Sequence, residues 1–124
     1  MSTLKVNTIQ NTSGGSSSTP EQIEQGRAKV WCRWHTSGGA GIDDSFGVSS
    51  VADNSTGFSY VNFSTNFSNA NYAVTCSGQE DSGGGGRFMM ARSPETNRCQ
   101  MEFRNASNST RDAINLHAVF HGDQ

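Results

Sequence analysis

The stretch that decides the fold is Phe58–Gln79, FSYVNFSTNFSNANYAVTCSGQ. Its two ends, 58–63 and 72–77, are rich in aromatic and β-branched residues, which are typical of pleated, half-buried strands. Turn-forming Asn and Ser residues separate the two ends. We therefore predict two central β-strands joined by a short loop. By the two-residue period of a strand, the side chains predicted to face the core are Val61, Phe63, Tyr72, Val74 and Cys76.

Similar short segments continue on both sides of this pair. Arg98–Arg104 alternates strictly between polar and apolar residues, which predicts a strand with one wet face. Turn signals separate the segments, a pattern that is typical of a sandwich or barrel. Over 27–124 we predict an all-β domain, an antiparallel β-sandwich or small barrel of about seven strands. The other predicted strands are Arg27–His35, Ser45–Val51, Arg87–Arg92 and Ala113–His121.

Residues 1–18 are predicted to form an extended N-terminal arm for attachment or trimerisation. Segment 4–9 is a candidate short strand, but it is too polar on both faces to be stable alone. The Ser, Gly and Thr residues of 11–18 are typical of a flexible linker. An extended arm of this kind often docks on another chain, and the alternative is a frayed terminus.

A short helix is predicted over 19–26, between the arm and the domain. Thr19 is a favourable cap, and Pro20 fits the first helical position, where its missing N–H costs nothing. Gln22 completes a capping box with Thr19. Gly26 is expected to end the helix in the left-handed conformation.

The composition predicts a folded but polar chain with a thin core. Leu, Ile, Val and Phe together number 20 of the 124 residues, and the net charge is −2. So small a core suggests support from neighbouring subunits. The near-zero charge argues against a nucleic-acid partner, which would require a basic patch. No apolar run reaches the length of a membrane-spanning helix, so no membrane insertion is expected.

Trp31 is the unusual residue of the first domain strand, because it falls on the polar face. Three explanations are open: the ring covers the short helix, lies in a subunit contact, or stacks on a ligand. Aromatic anchors dominate the energetics of many interfaces. The residues predicted to form the subunit interface are Leu4, Val6, Ile9, Trp31, Phe58 and Tyr60.

The three cysteines are predicted to be buried thiols. An odd number does not indicate a closed disulfide framework. Cys32, Cys76 and Cys99 each alternate in phase with apolar neighbours, so we interpret them as small hydrophobic residues. No feature of the sequence indicates the low pKa that a catalytic thiol requires.

No pattern of the sequence predicts a catalytic, metal or cofactor site. His117 and His121 share a strand face, but four residues of strand separate them by about 13 Å, too far for one metal ion. No Ser/His/Asp set has a recognisable nucleophile elbow. The Gly83–Gly86 run is not a phosphate loop, since no Lys-Ser or Lys-Thr pair follows it. Asp43-Asp44 and Glu80-Asp81 are carboxylate pairs in predicted loops, and a glycosidase dyad stays open because it depends on separation in space.

The opening Met1–Asn11, MSTLKVNTIQN, resembles the start of tail-fibre-type structural proteins of tailed bacteriophages, especially phages of marine cyanobacteria. Gly26–Trp31 and Asp44–Val51 resemble the body of the same proteins, as do Tyr60–Thr65 and Ala70–Val74. The resemblance consists of several short blocks in the right order and covers nearly the whole chain.

The resemblance implies a virion component, assembled in the host cytoplasm as a homotrimer and without enzymatic activity. Its implied function is that of a tail-fibre subunit attaching the virion to a glycan or protein of the host surface. The arm would join other tail or virion proteins. The alternatives are an adaptor or decoration protein without receptor binding and, third, a carbohydrate-binding module outside any virus. Cys32, Trp34, His35 and the Gly83–Gly86 run depart from the family pattern.

The loops that face the host are predicted from strand direction. If seven antiparallel strands alternate, successive loops lie at opposite ends of the domain. Loops 36–43, 65–70 and 93–97 and the C-terminus are then distal to the arm, whereas 52–57, 80–86 and 106–111 lie at the arm end. Distal loops on a rigid scaffold are expected to contact the receptor. The predicted contact residues are Ser37, Asn66, Asn69, Glu95 and Asn97.

Overall fold

Alternating apolar residues place most of the chain in two antiparallel four-stranded sheets that pack face to face. The computed structural model describes residues 1–80 and 87–124, so the predicted Gly83–Gly86 loop lies outside the described residues. The predicted all-β sandwich is confirmed. Its elements are β1 Ile9–Gln10, β2 Ser17–Ser18, α1 Pro20–Gly26, β3 Val30–His35, β4 Gly41–Phe46, β5 Val48–Ser55, β6 Phe58–Phe63, β7 Ala73–Gln79, β8 Arg87–Glu95, β9 Arg98–Asn105 and β10 Asn115–His121.

The first and last strands of the sandwich are direct neighbours. Sheet I has the strand order β4-β3-β10-β7, and sheet II has the order β5-β6-β9-β8. In sheet I, Val30 lies opposite Phe120, and Trp34 lies opposite Leu116. The pairing of β3 with β10 thus joins the two ends of the domain sequence at the centre of one sheet.

The predicted alternation is confirmed by burial in β3 and β10, and in β9 at every position except Glu102, which is buried on the face predicted to be wet. Trp34 is fully buried, and its indole Nε1 donates a hydrogen bond to Ser59 Oγ at 3.1 Å, which links sheet I to sheet II. An aromatic cluster fills one end of the core, with ring centroids 4.5 to 5.9 Å apart. Its members are Phe63, Phe67, Tyr72 and Phe120.

The prediction that β6 and β7 form two central neighbouring strands is wrong, because they lie in different sheets and β7 is an edge strand. Their predicted inward faces are nevertheless correct, since Val61 and Phe63 are buried and Val74 packs against the core. The connecting segment crosses between the sheets. Phe67 anchors this crossing by inserting its side chain, only 2% exposed, into the aromatic cluster.

The prediction of a single strand over Ser45–Val51 is also wrong. The backbone turns at Gly47, whose φ of +71° is left-handed and favours glycine. A Cβ there would lie 2.8 Å from the carbonyl oxygen of Lys29. The chain leaves sheet I in β4 and enters sheet II in β5, so Phe46 is 59% exposed while Val48 packs against the core.

This additional strand reverses the predicted assignment of loops to ends. At the end where α1 lies, called the helix end, Phe67 N donates to Thr96 O at 2.8 Å and Ser68 N donates to Asp123 O at 2.8 Å. The Gln25 side chain of α1 also bonds Asp123. Loops 65–70 and 93–97 and the C-terminus therefore lie at the helix end. This placement corrects the prediction that they are distal.

The opposite end, called the far end, contains the loops between β3 and β4, β5 and β6, and β9 and β10. Gly57 N donates to Asp112 Oδ1 at 2.9 Å, and Thr36 N donates to Ala113 O at 2.9 Å. The prediction was thus right for 36–43 and wrong for 52–57 and 106–111, which it placed at the arm end.

The helix forms with the predicted capping box, in which Thr19 Oγ1 accepts from Gln22 N at 3.2 Å. Its end differs from the prediction, because Gly26 remains helical and Arg27, with φ of −82°, is the C-cap. In residues 1–80 and 87–124, no helix is long and apolar enough to cross a membrane.

The arm contains a small hairpin in place of the predicted strand over 4–9 and flexible linker over 11–18. Ile9 pairs with Ser18 in this hairpin. Asn11 stabilises the turn, since its Oδ1 accepts from Gly15 N at 2.9 Å. The apolar residues Leu4 and Ile9 are 83% and 54% exposed, so the sandwich does not cover them.

Candidate functional site

A shallow groove of about 340 Å³ lies on the outer face of sheet I and is called here the β3–β10 groove. One wall is an apolar row in which Trp31 lies opposite Val119 on β10 and Phe46 on β4. Two residues further along β3, Arg33 lies opposite His117 and Asp44. The groove is lined by Trp31, Cys32, Arg33, Asp44, His117, Ala118 and Val119.

Hydrogen bonds hold the polar side of this groove in place. Arg33 Nη2 donates to Asn115 Oδ1 at 2.8 Å, and Arg33 Nε lies 3.6 Å from Asp43 Oδ2. The other oxygen of Asp43 lies 2.9 Å from His35 Nδ1. The arginine is therefore oriented by neighbours on β4 and β10, although its side chain is about half exposed.

The groove beside the Trp31 ring is lined by strand residues, and the side chain is 36% exposed. The three explanations for its position, cover of the short helix, a subunit contact and a stacked ligand, stay predictions. The sequence did not single out Arg33, Asp44 and His117 as groove residues. Their signal is the register of β3 with β4 and β10, which follows only once these strands are known to be neighbours.

A buried carboxylate lies on the outer face of sheet II, which the sequence predicted to be wet. Glu102 is fully buried, with Phe58 and Met90 opposite it on the flanking strands. Arg92 Nη1 donates to Glu102 Oε2 at 2.6 Å, and Arg104 Nε donates to Oε1. Burial acts to raise the pKa of Glu102, but the two arginines outweigh it and hold this pKa below its usual value.

The predicted interface residues of the domain lie on two opposite faces. Phe58 and Tyr60 are half-buried on the outer face of sheet II, whereas Trp31 is on sheet I. Arg98 stacks on Tyr60, with its guanidinium carbon 4.3 Å from the ring centroid, and Gln100 Nε2 donates to Tyr60 Oη at 3.3 Å. Leu4, Val6 and Ile9 are exposed in the arm.

The predicted receptor residues are divided between the two ends of the sandwich. Ser37 is at the far end, in the β3–β4 loop. The other four lie at the helix end: Asn66 and Asn69 in the β6–β7 crossing, Glu95 at the end of β8 and Asn97 in the turn after it. Asn69 there joins Asn71, His121, Asp123 and Gln25 in lining a polar groove of about 380 Å³.

The three cysteines are free thiols, and the prediction that they are buried is confirmed for Cys32 and Cys99, whereas Cys76 is half-buried. Burial, followed by the charges of Asp43 and Asp44, raises the pKa of the Cys32 thiol to about 12. Such a thiol is a poor nucleophile at neutral pH. Across the described ranges, 1–80 and 87–124, no cluster of three His, Cys, Asp or Glu residues is arranged to hold a metal ion.

No family model, curated protein or solved structure matches this chain.

Proposed function

We propose that the chain is a structural protein of a tailed-bacteriophage virion, a tail-fibre subunit that attaches the particle to the host surface. The observation that carries this proposal is an arm whose apolar side chains are not covered by its own domain. Leu4 is 83% exposed, Ile9 54% and Val6 38%. Apolar side chains in a row before a folded domain are suited to burial against another virion protein or another copy of the arm.

The sandwich supplies the second part of the proposal. It is a rigid scaffold with loops at both ends, and such loops commonly carry binding residues. The far end, which holds Ser37, points away from the helix and arm. The resemblance of the sequence blocks to tail-fibre-type proteins supports the same function.

The second candidate is an adaptor or decoration protein that joins virion components without binding a receptor. It is favoured by the polar groove at the helix end, which contains Asn69, Asn71 and Asp123 beside Gln25 of the helix that follows the arm. Amide and carboxylate side chains there are as well placed to contact a virion protein as to contact a glycan.

Cell binding distinguishes the two candidates. The purified full chain, fluorescently labelled, is expected to bind intact marine cyanobacterial cells of a susceptible strain saturably and to compete with phage adsorption. Antibody-labelled virions are expected to show the chain at the tail tip by electron microscopy. Labelling of virions without cell binding would favour the adaptor, and absence of the chain from virions would exclude both candidates.

The homotrimer is expected to depend on the arm. A cyclic trimer joins two different surfaces of each subunit, and the exposed arm and the sheet II face with half-buried Phe58 and Tyr60 are suited to be those surfaces. Deleting residues 1–18 removes the exposed apolar side chains and is expected to shift a trimer to monomer in multi-angle light scattering at micromolar concentration. The control is replacement of 11–16 by a Gly/Ser sequence, which keeps Leu4 and Ile9. A full chain that is monomeric at this concentration contradicts the trimer.

A further inference from the structure

Trp31 presents an indole ring to solvent on a flat sheet face. Its 36% exposure contrasts with complete burial of Trp34 on the same strand. Val119 and Phe46 flank it across the neighbouring strands, so the ring is part of a continuous apolar row. Tryptophan supplies a large, rigid contact area at low cost in conformational entropy. The row is therefore a preformed platform for a flat apolar surface.

A polar row runs parallel to this platform, about 7 Å away along β3. It consists of Asp44, Arg33 and His117, in that order across β4, β3 and β10. Arginine only donates hydrogen bonds, a carboxylate only accepts them, and histidine does either according to its tautomer. A hydroxyl group both donates and accepts, so the row offers complementary partners for several hydroxyls.

Arg33, at the centre of this row, is already oriented by its neighbours. Asn115 bonds Arg33 at 2.8 Å, and Asp43 lies 3.6 Å from the same guanidinium. Because the side chain is already oriented, a ligand loses less binding free energy to ordering it.

Charge selects among ligands that combine an apolar face with hydroxyls. Two carboxylates, Asp44 in the polar row and Asp43 beside it, outnumber the guanidinium of Arg33, so this side of the groove repels a polyanion. A sulfated or uronate-rich polysaccharide is therefore disfavoured. A neutral pyranose fits, since it presents C–H groups on one face and uncharged hydroxyls around its edge.

We infer that the β3–β10 groove binds a neutral saccharide, which stacks on Trp31 and is hydrogen-bonded by Arg33, Asp44 and His117. This inference rests on the proposed attachment function and names the chemical class of receptor and the site that holds it. It assigns Trp31 to a ligand in place of the predicted subunit contact, and it places receptor binding on a sheet face in place of the loops.

The test uses the purified full chain on an array of immobilised oligosaccharides. One set contains neutral hexoses and N-acetylhexosamines, and a second contains uronates and sulfated sugars. Binding to at least one neutral member is expected, and Trp31→Ala is expected to weaken it roughly tenfold or more. Asp44→Asn, which keeps the size of the side chain, is expected to weaken it several-fold. The matched control is Phe88→Ala, an exposed aromatic on sheet II.

Fluorescence provides an independent readout. A neutral sugar that binds is expected to shift the emission of Trp31, and the shift should disappear in Trp31→Phe, where buried Trp34 is the remaining tryptophan. Binding of anionic sugars alone, equal binding by Trp31→Ala, no binding of any sugar, or conversion of an oligomer to monomer by Trp31→Ala would each overturn the inference. The proposed function fails separately, if the chain is absent from virions although the groove binds sugar.

Discussion

Replacing Trp34 by alanine is expected to lower the free energy of unfolding by about 3–5 kcal/mol. The indole is fully buried between the sheets, and its removal leaves a cavity that the surrounding strands fill only partly. It also leaves the buried hydroxyl of Ser59 without the donor that it now has at 3.1 Å. Since small domains are stable by roughly 5–15 kcal/mol, the variant is expected to be marginally folded.

Urea denaturation followed by circular dichroism measures this loss as a lower midpoint. Trp31→Ala is the matched control, because it makes the same chemical change on the outer face of the same strand and is expected to cost less than about 1 kcal/mol. Trp34→Phe retains most of the ring but not the N–H group, and should fall between the two. Equal costs for the Trp34 and Trp31 variants would contradict the central role of the buried indole.

The second large loss of stability is expected when both arginines that contact Glu102 are removed. In Arg92→Met combined with Arg104→Met, the fully buried carboxylate keeps its burial but loses its ion pairs. An uncompensated buried charge typically costs about 3–5 kcal/mol. The double variant is therefore expected to lose about 3 kcal/mol of unfolding free energy at pH 7.

The pH dependence gives this prediction its signature. In the native chain the pKa of Glu102 is lowered. The stability that its ionised form contributes is therefore complete above the pKa of the unfolded chain, ~4.3, and is lost as the pH falls through the folded pKa. In the double variant burial alone acts, and the pKa rises above the unfolded value. Protonation then removes the buried charge. The difference in unfolding free energy between the native chain and the double variant should therefore become smaller as the pH falls from 7 towards 4.5.

A triple variant that also carries Glu102→Met is the control, because it removes the buried charge along with its partners. Apolar replacement of a whole buried ion-pair group is often neutral or stabilising, so most of the lost stability should return. A deficit that is independent of pH, or a triple variant no more stable than the double variant, would contradict the proposed cause. Denaturant midpoints at several pH values provide the measurement.

The sequence predicted the faces of the strands better than their partners. The alternation in β3, β9 and β10 is strong because one face of each is dry, and shifting it by one residue would expose every core side chain. The sequence of a strand contains no comparable pattern that indicates which strand pairs with it. In the sequence, the turn at Gly47 resembles the interior of a strand, and Phe67 resembles a single apolar residue in a polar loop. In the structure, each lies where the chain crosses from one sheet to the other.

The same turn explains why the loop assignment failed. One missed reversal changes the end of every later connection, so four predicted receptor residues move to the helix end. Glu102 shows a second limit, because its place in an alternating strand predicts exposure, while in the structure it is buried between the flanking strands and paired with two arginines. The β3–β10 groove could not be predicted for a related reason. The sequence marks Trp31 as unusual, but the polar residues beside it include residues of β10, which is distant from β3 in the chain.

The pairing of β3 with β10 also determines when this protein folds. Sheet I lacks an inner strand until Asn115–His121 has been synthesised. One edge of β3 therefore stays unpaired while the intervening chain is made. Pairings between distant segments form slowly. On a polysome, several nascent copies expose the same edge at once, and the last strand of one copy competes for the first strand of another. Slower synthesis does not prevent pairing between copies, because β10 is made after every other strand of the sandwich.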